Sequence, residues 1–138
     1  MITKAHNKLE KTEANYSPLS PVSFLKKAAR IFPEKISIIY ESQQFSWLET
    51  FKRCKRLASA LSGELSEGDV VGFLAANTPE LYEAHFGVPM AGMVLNALNI
   101  RLDPITIGYI IDHSDIKIIF VDDEFSEIAA KAIEISKE

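Results

Sequence analysis

The chain has 138 residues, 47% hydrophobic and 25% charged, the balance of an ordinary globular chain. Its 15 basic and 19 acidic residues leave a net charge of −4, which excludes the basic footprint of a nucleic-acid binder; the single cysteine, Cys54, excludes an internal disulfide and a cysteine-based zinc site. Only 6 glycines occur, none adjacent and none in a G-x-G, so a G-x-G-x-x-G dinucleotide turn and a G-x-x-x-x-G-K-[ST] phosphate loop are excluded as well.

Residues 1–17 read as a flexible lead-in, polar and charged in both signs, with neither an apolar signal core nor an Arg-rich presequence. Ser20-Pro21 is a cap followed by proline at the first helical position, and it opens a helix to Ile31 whose stripe is Phe24, Leu25, Ala28 and Ile31. Ile36 to Glu41 predicts a strand, and Gln43 to Ser46 a short partner after a tight turn. Ser46-Trp47-Leu48-Glu49 is a capping box; the helix it opens runs to about Leu61 and buries Trp47, Leu48, Phe51, Cys54, Leu57, Ala58 and Leu61.

Asp69 to Ala75 is almost continuously apolar, as in a parallel strand covered on both faces. Asn77-Thr78-Pro79 ends it and caps a helix to about Met90. Val94 to Leu98 is a short strand, and Asp103-Pro104 opens a helix to about Asp112. Ile116 to Val121 is a further β-branched strand, after which Asp122-Asp123 cap a helix from about Glu124 to Ser136. Strand and helix alternate from Asp69 onward, which predicts an α/β fold with a mostly parallel sheet and flanking helices. Its parallel part has three strands, so the sheet reads as incomplete. The longest stretch without Asp, Glu, Lys or Arg, Ala84 to Ile100, contains Pro89, Asn96 and Asn99 and reads as a buried helix-turn-strand rather than a membrane span.

Candidate chemistry is sparse. Lys52, Arg53, Lys55 and Arg56 form a basic run that reads as a solvated helix face. Glu80, Glu83 and His85 are wrongly spaced for a metal, since positions two apart diverge on a helix; His85 reads as hydrogen-bonded and partly buried beside Leu81 and Val88. His6 and His113 fall in the tail and a loop. Cys54 reads as a packed core thiol. Asp122 and Asp123 are misplaced for a phosphate-accepting acidic pair, as is Asp69, which precedes its own strand. Open α/β sheets bind ligands beyond their strand ends, which directs attention to Ala76-Asn77-Thr78, Asn99-Ile100-Arg101 and Asp122-Asp123, and to the helix starts at Pro79 and Pro104 as anion contacts. Capping and turn formation account for the same residues.

Four stretches, SPVSFLKKAARIFPEKISIIY, FSWLETFKRCKRLASAL, GDVVGFLAANTPELYEAHFGVPMAGMVLNALNIRLDP and IGYIIDHSDIKIIFVDDE, resemble the N-terminal part of adenylate-forming enzymes of the acid–CoA ligase branch. The plant acyl-activating and benzoate–CoA ligase-like group is the nearest in kind. The resemblance runs from about residue 16 to the end of the chain. It implies a partial AMP-binding domain over residues 18–138 and a family reaction that uses ATP, Mg and CoA to convert a carboxylic acid to an acyl-adenylate and then an acyl-CoA. The family's phosphate loop, acyl pocket and C-terminal adenylation lysine fall later than this chain reaches, so it carries over no catalytic, cofactor-binding or metal residue. Where some relatives contact CoA through arginine, this sequence reads DDEFSEIA. The expectation is an inactive N-terminal fragment, arising as a truncated product, a gene-model fragment or a splice form. The rivals are an interaction module that pairs with a full-length homologue through its unfinished sheet, and a stand-alone ligand-binding domain. The end Ser136-Lys137-Glu138 is not a peroxisomal S-K-L address.

Overall fold

The structure is a computed structural model and describes residues 11–136. Within them the order is α1 (Pro21–Ile31), β1 (Ile36–Tyr40), β2 (Gln43–Ser46), α2 (Trp47–Glu64), β3 (Val70–Leu74), α3 (Pro79–Met90), β4 (Val94–Ala97), α4 (Pro104–Ser114), β5 (Ile116–Val121), a 3-10 turn (Asp123–Phe125) and α5 (Ser126–Ile135). His6 and most of the expected lead-in lie outside the described residues.

Local chemistry sets the helix starts. The Ser46 hydroxyl accepts from the Glu49 amide at 3.3 Å while the Glu49 carboxylate accepts from the Ser46 amide at 2.7 Å, the reciprocal capping box. Thr78 and Asp103 cap α3 and α4, each followed by proline, whose missing N–H costs nothing at the first helical position. Asp122 acts as a cap, but of the 3-10 turn; Asp123 lies inside that turn, and α5 starts at Ser126 rather than Glu124. At the far end of α4, Asp115 takes the left-handed conformation with φ 53°, which its short polar side chain tolerates better than most.

Two sheets form. β1 and β2 pair antiparallel as a separate hairpin, closed by Tyr40 opposite Gln43. The parallel sheet has the order β4-β3-β5, so β3 lies between the other two. Alternation along β3 sends Val71 and Phe73 to one face and Gly72 and Leu74 to the other. The first face packs with Leu61, Ala84, Val88 and Met93 from α2, α3 and the turn after α3. On the second face Leu74 joins Leu98, Ile107, Ala129 and Ala132, mostly from α4 and α5. Backbones come close at two helix crossings. A Cβ on Gly87 would stand 2.8 Å from a Leu57 methyl carbon, and one on Gly108 would stand 2.9 Å from the Ala132 carbonyl oxygen.

The sheet is covered unequally. β5 pairs Ile118 with Val71 and Phe120 with Phe73, which places Ile118 and Phe120 on the α2/α3 face. Neither joins the buried core there; Phe120 stacks on Phe73 with ring centroids 4.7 Å apart and remains 37% exposed. The opposite face of β5, carrying Ile116, Ile119 and Val121, is packed by α4 and α5.

Burial departs from the expected stripes in α1 and α2. In α1, Leu25 and Ala29 are buried, whereas Phe24 and Ile31 are exposed and border an open hollow of about 310 Å³ with Phe32, Trp47 and Phe86. In α2 the buried line is Thr50, Cys54, Ala58 and Leu61; Trp47, Leu48, Phe51 and Leu57 are half-buried. α2 touches both α1 and α3, so its contact seam follows the i, i+4 ridge between those two neighbours and takes in Thr50.

Candidate functional site

The described residues offer two concavities near the ends of secondary-structure elements. At the carboxyl edge of the sheet, a hollow of about 330 Å³ is bordered by Phe73, Ala75, Thr78, Glu80, Phe120 and Asp122. The fold thus brings two of the expected loops together, 76–78 and 122–123; Asn99-Ile100-Arg101 does not border this hollow. Backbone bonds fix the edge: the Asp122 amide donates to the Leu74 carbonyl at 3.0 Å and the Leu98 amide to the Phe73 carbonyl at 2.8 Å.

Several of the amides that an anion would need are already engaged. The Leu81 amide donates to the Thr78 hydroxyl at 3.5 Å, the Ile105 and Thr106 amides donate to Asp103 Oδ1 at 3.0 Å, and the Glu124 amide donates to Asp122 Oδ1 at 3.4 Å. Asn99 Oδ1 accepts from the Arg101 amide at 2.9 Å and closes its own turn. The Asp103 carboxyl is held below its ordinary range by the Thr106 hydroxyl and amide. Each of these residues acts as a cap or a turn former.

A larger groove, about 630 Å³, runs between β1 and the first turns of α3. Ser37 to Tyr40 form one wall; Thr78, Tyr82, His85 and Phe86 stand on the other. Burial pushes the Tyr82 phenol up. His85 is hydrogen-bonded as expected, its Nδ1 lying 2.8 Å from the Leu81 carbonyl. A carbonyl only accepts, so Nδ1 carries the hydrogen there. The expectation of partial burial fails, because His85 is exposed: it lies on the groove side of α3, away from Ala84 and Val88.

The basic run divides. Lys52, Lys55 and Arg56 are exposed, as a solvated face requires, but Arg53 is not part of it. Its Nε donates to Glu83 Oε1 at 2.5 Å, Nη2 donates to Glu80 Oε1 at 3.3 Å, and the guanidinium sits 4.7 Å from the Phe45 ring centre. One side chain therefore ties α2 to α3 and to the hairpin. The Glu83 side chain is 7% exposed; burial raises its carboxyl above the ordinary range and Arg53 opposes the rise. Sequence reasoning missed this pair. The available signal was position: Glu83 lies four residues from both Pro79 and Gly87, on the seam facing α2. Cys54 is a core thiol as expected, its Sγ donating to the Glu83 carbonyl at 3.6 Å and its pKa pushed up by burial to about 12. Among the described residues, no group of three or more His, Cys, Asp or Glu could hold a metal, and no helix is long and apolar enough to cross a membrane.

Comparison with known proteins identifies this arrangement of elements. Residues 25–138 match the AMP-binding enzyme family, and the chain belongs to it. It is 49% identical over 130 residues to a peroxisomal trans-cinnamate:CoA ligase of Petunia hybrida, covering 94% of this chain and 23% of the relative. It is 48% identical over 124 residues to a peroxisomal benzoate–CoA ligase of Arabidopsis thaliana, covering 89% of this chain and 21% of the relative. Among solved structures, an anthranilate CoA ligase in complex with anthranoyl-AMP superposes with a TM-score of 0.80 at 19% identity, over 84% of this chain and 23% of the other. The fold is therefore that of the N-terminal part of adenylate-forming enzymes, and the chain spans about a quarter of the length of the curated relatives it matches.

Proposed function

We propose that this chain supplies the N-terminal segment of an acid–CoA ligase, which joins a carboxylic acid to AMP at the expense of ATP and passes the acyl group to CoA, and that the segment alone does not adenylate. The observation that carries the reading is the match over nearly the whole chain to about a quarter of each CoA ligase. Adenylyl transfer needs backbone amides and cations gathered around phosphates. The strand-end loops do not fit the phosphates of ATP or CoA: the Leu81 and Glu124 amides donate to their own caps, and Glu80, Asp122, Asp123 and Glu124 put negative charge where phosphates would approach. No step of the reaction is assigned to these residues.

The test has two arms. Acid-dependent ATP–pyrophosphate exchange is measured on the purified chain and on a chimera in which the chain replaces the matching segment of a full-length relative. Exchange is expected in the chimera alone. Robust exchange by the isolated chain removes the claim of inactivity, and a folded but inactive chimera removes the ligase reading.

A second reading, a non-catalytic module that pairs with a full-length homologue, is favoured by one observation: half-buried Ile118 and exposed Phe120 lie at the β5 end of a sheet face, outside the core that α2 and α3 form there. Pull-down against such a homologue tests it, with retention of the chain expected; a monomer that passes through unretained counts against it.

A further inference from the structure

Charge is divided unevenly along the chain. Residues 21–61, which form α1, the hairpin and most of α2, hold 8 Lys or Arg and 3 Asp or Glu; residues 62–138 hold 4 and 14. The net charge of −4 is what remains of a basic helix pair and a more acidic remainder. α1 and α2 pack against each other, and Lys26, Lys27 and Arg30 on α1 and Lys52, Lys55 and Arg56 on α2 are all exposed. Among the described residues none of the six forms an ion pair. Acidic neighbours do not balance them: α1 carries none, Glu49 is bonded in its capping box, and Glu34 and Glu41 lie in turns. Within each helix the cations repel, since Lys26 and Arg30, and Lys52 and Arg56, are four positions apart on one face. The helix dipole accounts for Arg30, in the last turn of α1, but the last turn of α2 has no basic residue and its cations stand in mid-helix.

Apolar side chains share this surface. Phe24, Lys27 and Ile31, at i, i+3 and i+7, follow one side of α1 and border the hollow of about 310 Å³ that Trp47 also lines. Phe24 is 55% exposed, and Leu19, just before α1, is 85% exposed.

We infer that the outward face of α1 and α2 docks on an anionic lipid surface, with its six cations at the level of the headgroup phosphates and Phe24 and Ile31 at the edge of the acyl layer. The contact is independent of whether the segment belongs to a ligase. Charge complementarity sets the sign of the partner, and the apolar side chains set its kind: a headgroup layer receives cations and apolar groups from one side at once. A nucleic acid offers phosphates but no apolar layer for Phe24 and Ile31. The acidic remainder turns away from a negative surface, so a chain of net negative charge still meets it in one orientation.

The test is co-sedimentation of the full chain with phosphatidylcholine vesicles, with and without phosphatidylserine. Binding is expected to the anionic vesicles alone. Raising salt from about 0.1 M to 1 M, which shortens the screening length from about 10 to 3 Å, should weaken it at least tenfold. Lipid brominated in its acyl chains should quench Trp47, the single tryptophan, because it borders the hollow beside Phe24 and Ile31. Neutralising Lys26, Lys27, Lys52 and Lys55 together to glutamine should weaken binding by roughly fivefold per lysine. The control pair Arg101→Gln and Lys131→Gln, outside α1 and α2, should leave it unchanged. Absence of binding, equal binding to neutral vesicles, or equal losses in the two variants overturns the inference. Association through Ile118 and Phe120 would be insensitive to salt and leave Trp47 unquenched, and that result overturns it as well. So does binding to polyglutamate as tight as to the anionic vesicles, which makes an acidic protein the partner. Should the fourfold variant fail to fold, the salt response and Trp47 quenching of the unaltered chain decide by the same criteria.

Discussion

Replacing Arg53 with methionine probes the tie between α2, α3 and the hairpin. The substitution keeps most of the stem volume and leaves Glu83, 7% exposed, without its cation. Removing one member of a buried pair costs about 3–5 kcal/mol. Arg53 is itself 27% exposed, and the Glu80 arm, with Glu80 62% exposed, belongs to the weak surface class. The low end applies, about 3 kcal/mol near neutral pH. With a urea slope of ~1–3 kcal/mol/M, the unfolding midpoint should fall by roughly 1–3 M, followed through the fluorescence of Trp47. The sign with pH follows from Glu83. Burial raises its folded pKa above the unfolded value, so its contribution is fully present below the unfolded pKa and is lost as pH rises through the folded one. Without Arg53 the folded pKa rises further, and the variant's deficit should grow from acid to neutral pH. Near pH 4.5, close to the ordinary Glu value, only the hydrogen bond is missing and the deficit should shrink to about 1 kcal/mol. Glu83→Gln keeps an oxygen acceptor for Arg53 and should cost less than Arg53→Met. Equal losses for Arg53→Met at both pH values, or a Glu83→Gln loss as large as that of Arg53→Met, would refute the reasoning.

Gly108→Ala should destabilise more than Gly87→Ala, because the new Cβ meets a backbone oxygen at 2.9 Å in the first case and the end of a leucine side chain at 2.8 Å in the second; overpacking costs about 1–3 kcal/mol, and a helix-propensity gain of about 1 kcal/mol offsets part of it at both sites. Thermal melts of the two variants give the order. Ser46→Ala should cost about 1 kcal/mol by chemical denaturation. Glu49 is held below its ordinary pKa by Ser46, so the capping contribution is present above the unfolded pKa and fades as pH falls through the folded one; a loss from Ser46→Ala that grows in acid contradicts this. The Cys54 thiol, with a pKa of about 12, should resist alkylation by iodoacetamide near pH 8 until urea unfolds the chain, and fast labelling of the native protein would contradict its burial. The face bearing Ile118 and Phe120 should bind a hydrophobic dye and the chain should melt broadly; a sharp melt without dye binding contradicts that expectation.

Much of the fold was legible because it rests on local rules. Ser46 with Glu49, Thr78 with Pro79, and Asp103 with Pro104 mark helix starts through bonds spanning two or three residues, and all three appear where the sequence places them. The run at 70–74 declares itself as a parallel strand by being apolar on both faces, the run at 116–121 declares itself as a strand by its β-branched residues, and Val94–Ala97 falls inside the expected short strand. The same local chemistry accounts for Thr78, Asn99, Asp103 and Asp122 in the strand-end loops, each of which caps a helix or closes a turn.

Long-range pairings were decided elsewhere. Arg53 and Glu83 are thirty positions apart, and each alone resembles a surface charge; only the crossing of α2 on α3, close at Gly87, buries one beside the other. His85 and Glu83 differ by two positions and differ in burial because the helix sends one outward and the other into that seam. The separation of the hairpin from the parallel sheet, and the exposure of Ile39 on β1 and Phe120 on β5, are likewise invisible to periodicity. By itself the sequence determined which segments are helix or strand, where they are capped, and which family the chain belongs to, because those depend on neighbouring residues or on extended similarity. Tertiary structure decided which charges pair and which strand edges remain open, because both depend on the packing of elements far apart in the chain.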